Sequence, residues 1–253
     1  MKIAVSGKGG VGKTTISAYF VKKFAEKGYQ VYAVDADPDL SLGTVLGIES
    51  QDIQNLKPIV DMRDVIAEKS SGGGAFYSLN PDVDDVLNEY AISLGNIKFF
   101  KMGAVKQGGS ACYCRENSFL NSLMNALLLK KNDVVVLDMG AGIEHLTRGT
   151  SKGVDAIIVV TEPTLVSVQT AMVVTKLAHE LDIKNVKYIG NKIRRLEEQE
   201  FLKKHLMPSD ILGFVSYNEA ILDAALGLPT KDGQDIFDQD MDFIFNNLVR
   251  QIS

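Results

Sequence analysis

The seventh residue opens a glycine-rich loop that constrains everything after it. Gly7-Lys8-Gly9-Gly10-Val11-Gly12-Lys13-Thr14-Thr15 follows Met1–Ser6, a short apolar run ending in serine, as a buried parallel strand would. In the stretch after it, Thr14–Lys27, Ile16, Tyr19, Phe20 and Phe24 share one helical face, and Gly28 supplies a C-cap. Strand, glycine loop and helix together make a phosphate cradle. The glycines (Gly9, Gly10, Gly12) let successive backbone N–H groups, that of Val11 included, turn onto phosphate oxygens without a Cβ in the way. Lys13 brings positive charge to the β- and γ-phosphates, and the Thr14 hydroxyl, beside Thr15, is placed for Mg²⁺.

Lys8 lies five residues before that lysine, where an ordinary phosphate loop needs no charge. It is either a surface lysine at the loop mouth or a group that reaches across a dimer interface to the partner's nucleotide. The KGGxGKTT pattern resembles the deviant Walker A loop of the ParA/MinD and nitrogenase iron-protein class of dimeric ATPases. That resemblance implies an ATP/ADP cofactor with Mg²⁺ and a catalytic Lys8 acting between two subunits.

Strands and helices alternate along the rest of the chain. Gln30–Asp35, Asn96–Met102, Asp133–Leu137, Ala156–Thr161, Val186–Gly190 and Ile211–Val215 read as strands. Helical periodicity marks Ser118–Lys130, Leu165–Leu181, Leu196–His205, Glu219–Leu226 and Ile236–Gln251. Such alternation calls for right-handed crossovers and an α/β fold, one doubly wound, mostly parallel sheet with helices on both faces. The glycine spot Ser70-Ser71-Gly72-Gly73-Gly74 is too short to separate domains, so residues 1–253 are expected to form a single domain.

Two later strands end in acids. Asp35-Ala36-Asp37-Pro38-Asp39 crowds three carboxylates where a strand opens into a loop, on the edge where ligands of open α/β sheets sit. Alone it would read as a solvated turn with Asp39 as an N-cap. Beside a phosphate loop it resembles switch I of the same class, in which Asp37 matches the water-orienting aspartate. Val134–Asp138 followed by Met139-Gly140-Ala141-Gly142 is a buried strand with an aspartate after it, a Walker B arrangement that places Asp138 in the Mg²⁺ shell through water. It resembles switch II.

Asn191-Lys192-Ile193-Arg194 resembles the guanine-reading NKxD element, but Arg194 replaces the acid that would accept guanine's N–H protons. ATP is therefore favoured over GTP. In the resembled class an asparagine at this place bonds adenine, which implies that role for Asn191; otherwise it is a turn residue. The segment Tyr217–Pro229 resembles the part that closes over the base.

The only two cysteines fall in Ala111-Cys112-Tyr113-Cys114-Arg115. Two apart in an extended stretch, their side chains leave one face, so both sulfurs can meet one ion. Two thiolates do not complete a tetrahedral soft-metal site, but a two-fold axis through the motif would supply four. His145, His179 and His205 are scattered and read as ordinary residues. The competing reading is a pair of buried thiols; the preceding Lys106–Ser110 loop suits an interface better.

Taken together, the loop, the DADPD and DMGAG segments and the lone CxC resemble the CooC family, accessory ATPases in maturation of nickel-containing carbon monoxide dehydrogenase. The resemblance runs from the first residue to the YNEAILDAALGLP segment. It implies a homodimer holding Ni²⁺ or Zn²⁺ between Cys112 and Cys114 of two subunits, and a client nickel enzyme, carbon monoxide dehydrogenase. Two rivals stand beside it. One is an iron–sulfur electron donor like the nitrogenase iron protein, although that family draws its cysteines from separate segments. The other is a ParA/MinD-like positioning ATPase.

A net charge of −5 argues against a nucleic-acid partner, and Lys192–Lys204 is interleaved with glutamates. No apolar run approaches the length of a membrane span, and the start does not resemble a signal peptide, so a cytoplasmic location without membrane partners is expected.

Overall fold

The computed structural model describes residues 1–37, 39–59, 89–102, 132–140, 154–221 and 234–252. The described strands are β1 (Lys2–Gly7), β2 (Gln30–Ala36), β3 (Ile92–Leu94), β4 (Ile97–Lys101), β5 (Asp133–Met139), β6 (Ala156–Thr161), β7 (Val186–Ile193) and β8 (Ile211–Ser216). The helices are α1 (Lys13–Glu26), α2 (Ser41–Val45), α3 (Ser50–Asn55), α4 (Leu165–Glu180), α5 (Leu196–His205) and α6 (Gln234–Ile252). The strands form one eight-stranded sheet in the order β3-β4-β2-β5-β1-β6-β7-β8. All pairings are parallel except β3 with β4.

Central strands carry apolar residues on both faces, because helices cover both. On β5, Val135, Leu137 and Met139 point to the layer with α4 and α5, while Val134 and Val136 point to the layer with α1 and α6. On β6, Ile157 and Val159 take the first direction and Ala156, Ile158 and Val160 the second. Each strand is thus a continuous apolar run, and that is why these segments are readable without period-two alternation. Helix α1 buries Ile16, Phe20 and Phe24 against the sheet and ends at Lys27, with Gly28 at φ +84.

The anticipated strands stand within a few residues of their expected bounds. Strand β7 runs on to Ile193, three residues past the expected Gly190, and this extension brings Asn191 into the site. Two helical expectations, Ser118–Lys130 and most of Glu219–Leu226, lie outside the described residues, as does Ser70–Gly74. Strand β3 was not anticipated. It is three residues long, joined to β4 by a turn with Gly95 at φ +61, and the Gly95-Asn96 pair between apolar residues is the hairpin signal that marks it.

Candidate nucleotide site

The glycine loop sits at the carboxyl end of β1, between the ends of β5 and β6, where an open parallel sheet leaves a crevice. Lys8, Gly9 and Gly10 are exposed at its mouth, whereas Val11 and Lys13 are buried. The Lys8 carbonyl accepts the Val11 N–H at 3.4 Å and Lys13 Nζ at 3.3 Å. Both bonds are long, and both donors are groups that a phosphate would take instead. Gly12 stands at φ +95, and a Cβ there would lie 2.4 Å from Asn191 Nδ2, so only glycine fits this approach.

One flank of the loop is made by carboxylates. Asp35 and Asp138 are register partners on the adjacent strands β2 and β5, and both are fully buried. Asp35 Oδ2 accepts the Leu42 N–H at 2.9 Å and Oδ1 the Asp37 N–H at 3.2 Å, so this side chain shapes the turn that carries Asp37. Asp37 is half-buried; its Oδ1 accepts the Asp39 N–H at 3.1 Å and its carbonyl the Leu40 N–H at 3.1 Å. Leu40, at φ +48, holds the N-cap place of α2, and no side chain caps that helix, Asp39 included.

Burial pushes Asp35 up to about 7; the Leu42 and Asp37 N–H groups pull it back, and the neighbouring charges of Asp138 and Asp37 push it further. Burial likewise pushes Asp138 up to about 6, against the nearby Thr14 hydroxyl, the hydrogen bond from Ser17 and the charge of Lys13. Ser17 Oγ donates to Asp138 Oδ1 at 2.9 Å. Asp138 Oδ2 is buried and meets no hydrogen-bond donor among the described residues. An orphaned carboxylate oxygen beside a threonine hydroxyl and the phosphate cradle is a hard-oxygen donor set, and it fits Mg²⁺ held largely through water and phosphate. No group of three His, Cys, Asp or Glu side chains suited to a metal occurs among the described residues.

The other flank is made by the ends of β6 and β7. Asn191 is buried, with Nδ2 donating to the Val11 carbonyl at 2.7 Å and Oδ1 accepting the Lys192 N–H at 2.9 Å. One amide therefore ties the end of β7 to the loop. Lys192 Nζ donates to the Gly10 carbonyl at 2.7 Å and lies 2.6 Å from Glu162 Oε1. The Arg194 guanidinium rests 4.0 Å from the centroid of the Tyr217 ring, and the Tyr217 N–H donates to the Ile193 carbonyl at 2.8 Å. The start of the Tyr217–Pro229 segment is thereby docked beside Asn191.

The fold thus gathers Gly9, Gly10, Val11, Gly12, Lys13, Thr14, Thr15, Asp37, Asp138 and Asn191 at one crevice, with Lys8 at its rim. Cys112 and Cys114, the Lys106–Ser110 loop, His145 and the Ala141-Gly142 part of the second switch lie outside the described residues. Sequence reasoning passed over three residues that the geometry brings forward: Asp35, Glu162 and Lys192. Asp35 was visible in the sequence only as one of three crowded carboxylates. For Glu162 and Lys192 no local pattern signals that they meet. Among the described residues, no helix is long and apolar enough to cross a membrane.

Residues 2–107 match the family of CobQ/CobB/MinD/ParA nucleotide-binding domains. The chain is 39% identical over 237 residues to an ATP-binding protein of Methanocaldococcus jannaschii, covering 90% of each chain. It is 37% identical over 224 residues to the carbon monoxide dehydrogenase accessory protein CooC of Rhodospirillum rubrum, covering 87% of this chain and 85% of that one. Among solved structures, the septum site-determining protein MinD of Pyrococcus horikoshii with Mg-ADP superposes with a TM-score of 0.68 at 20% identity, over 99% of this chain and 96% of that one. The last likeness is one of fold.

Proposed function

The chain belongs to the CooC-type branch of the MinD/ParA, deviant Walker A class of P-loop ATPases, and on that premise we propose that it couples ATP hydrolysis to nickel delivery into carbon monoxide dehydrogenase. Nucleotide binding and ATP hydrolysis are the activity of the class. The observation that carries the finer reading is the 37% identity to the Rhodospirillum rubrum accessory protein across 87% of the chain. The Cys112-x-Cys114 motif is the chemistry that a soft-metal cargo needs.

The proposed roles follow from position. Lys13 neutralises the β- and γ-phosphates, and the loop N–H groups donate to phosphate oxygens, for which the Lys8 carbonyl stands in at Val11 and at Lys13 Nζ. Thr14 and, through water, Asp138 would hold Mg²⁺, which when bound screens the charge shared by β- and γ-phosphate. Asp37, aimed by the grip of Asp35 on its turn, orients the attacking water. Asn191 turns its free amide proton to adenine. Lys8 of one subunit reaches the phosphates of the other and stabilises charge developing in the transition state. Residues 1–253 act as a single domain. Closure of two subunits brings two Cys112/Cys114 pairs together as a four-thiolate site for Ni²⁺ or Zn²⁺. Hydrolysis relaxes both switch loops and parts the sulfurs. A thiolate site worth on the order of 10 kcal/mol is comparable with the free energy of one ATP, so the two events can be coupled.

The test is a nickel titration of the reduced metal-free protein, with and without a non-hydrolysable ATP analogue, followed by light scattering. One metal per two chains with a shift to dimer mass is expected; no stoichiometric metal would return the cysteines to a packing role and favour a positioning ATPase. Lys8→Ala should keep ATP affinity and lose turnover and nucleotide-driven dimerisation, and unchanged turnover removes Lys8 from the chemistry.

A further inference from the structure

Consecutive residues of a regular strand point to opposite faces of the sheet. At the end of β7, Asn191 and Lys192 break that rule and both reach the glycine loop. The local backbone explains how. The pairing of β7 with β8 shifts register between Gly190 and Ile193, and Lys192 stands at φ +61, a left-handed conformation that costs a non-glycine residue on the order of 1–2 kcal/mol. Irregularities of this kind occur beside functional sites, where they re-aim a side chain. Here the re-aimed group is an ammonium, and its target is a main-chain carbonyl of the phosphate cradle.

The identity of the two carbonyls matters. In a planar trans peptide, C=O and N–H point in opposite directions, and no described peptide is cis. The Gly10 carbonyl shares its peptide with the Val11 N–H, and the Val11 carbonyl shares its peptide with the Gly12 N–H. Lys192 holds the first carbonyl outward at 2.7 Å and Asn191 holds the second outward at 2.7 Å. The Val11 and Gly12 N–H groups are thereby turned toward the cradle. A charge-assisted bond to the Gly10 carbonyl also polarises that peptide and makes the Val11 N–H a stronger donor.

Lys192 is kept on target by a built counter-ion. Glu162 Oε1 lies 2.6 Å from its Nζ, and the Glu162 N–H donates to Ser167 Oγ at 3.0 Å, fixing the carboxylate at the first turn of α4. The Thr164 side chain caps the same turn, accepting the Ser167 N–H at 3.2 Å. We propose that Lys192, held by Glu162, is a positioning residue for nucleotide binding that presets the Val11 N–H of the phosphate loop from outside the crevice. This inference rests on ATP binding at the loop and is independent of the metal and dimer readings.

The experiment is calorimetric titration of ADP and of a non-hydrolysable ATP analogue into Lys192→Met, Lys192→Arg and Glu162→Gln. Steady-state kcat and KM and the thermal midpoint of nucleotide-free protein are measured alongside. Losing a charge-assisted bond predicts a roughly ten- to hundredfold weaker affinity for both nucleotides in Lys192→Met. KM should rise far more than kcat falls, arginine should restore most of the affinity, and Glu162→Gln should show a smaller loss of the same kind. Wild-type affinity in Lys192→Met, with Lys13→Ala abolishing binding in parallel, overturns the proposal and leaves the phosphate-loop reading standing. Affinity lost together with the nucleotide-free midpoint and not recovered by arginine overturns it too, since the lysine would then serve the fold alone.

Discussion

The two flanks of the phosphate loop are built on opposite principles. On the β6–β7 side, Asn191, Lys192 and Glu162 spend their polar atoms on one another and on two loop carbonyls. On the β2–β5 side, two buried carboxylates lie in register on neighbouring strands, with one oxygen orphaned and both protonation equilibria displaced. The first flank has its charges paired without a ligand; the second leaves a buried carboxylate oxygen without a donor among the described residues. In the proposed site, the first would fix where the nucleotide sits, and the second would hold the unfavourable charge that Mg²⁺ relieves. A site can thus be rigid and poised at once, provided that the two properties occupy different strands.

Asp138→Asn gives the largest way to break the contrast. It removes the buried charge that awaits Mg²⁺, so turnover should fall by on the order of a hundredfold while the nucleotide-free fold is as stable or more so. Steady-state ATPase rates over a Mg²⁺ series and a thermal melt in chelator measure both; a variant with wild-type turnover would place the metal elsewhere. Gly12→Ala is the counterpart on the satisfied flank. The added Cβ meets Asn191 Nδ2 at 2.4 Å in a left-handed backbone, so stability and ADP affinity should fall together, by about 1–3 kcal/mol in stability. Chemical denaturation reads it, and an unchanged midpoint would mean that the loop can retreat from Asn191.

The last way to sharpen the contrast is the pH dependence of the carboxylate flank. Asp35 and Asp138 hold their protons to about 7 and about 6 when folded, against 3.8 for the free side chain. Because both values are raised, the folded state binds more protons than the unfolded chain between about pH 4 and pH 7, and stability is lost as pH rises through that window. Metal-free protein should therefore melt at a lower temperature at pH 8 than at pH 5. Asp35→Asn should flatten the curve, as should Mg-ADP by favouring the ionised pair. A flat wild-type profile in chelator would show that the carboxylates are not strained.

The strands were legible because a sheet covered on both faces writes each one as an uninterrupted apolar run, and the loop was legible because its glycines and lysine have few other uses. Asp37 and Asp138 could be found from their places after strands. The grip of Asp35 on the Asp37 turn could not, since nothing local says which of three crowded carboxylates turns inward. Lys192 was less legible still. Alternation along β7 assigns it to the face opposite Asn191, and the register shift against β8 between Gly190 and Ile193 reverses this; a single strand glycine, Gly190, was the local hint. The antiparallel β3 hid in its brevity, although its Gly95-Asn96 turn was in plain view.

The central place of β1 also sets when the site can come into being. Its neighbours β5 and β6 are encoded far downstream, the Met1 ammonium bonds to the Asp133 carbonyl 132 residues away, and Asn191 meets Val11 across 180 residues. A ribosome has delivered the whole glycine loop long before any of these supports exist. The newborn segment therefore carries a nucleotide signature with no competence to use it, and must wait as one of the longest loop closures in the chain is completed. Competence to bind ATP is therefore expected only after the downstream strands have joined β1 in the sheet.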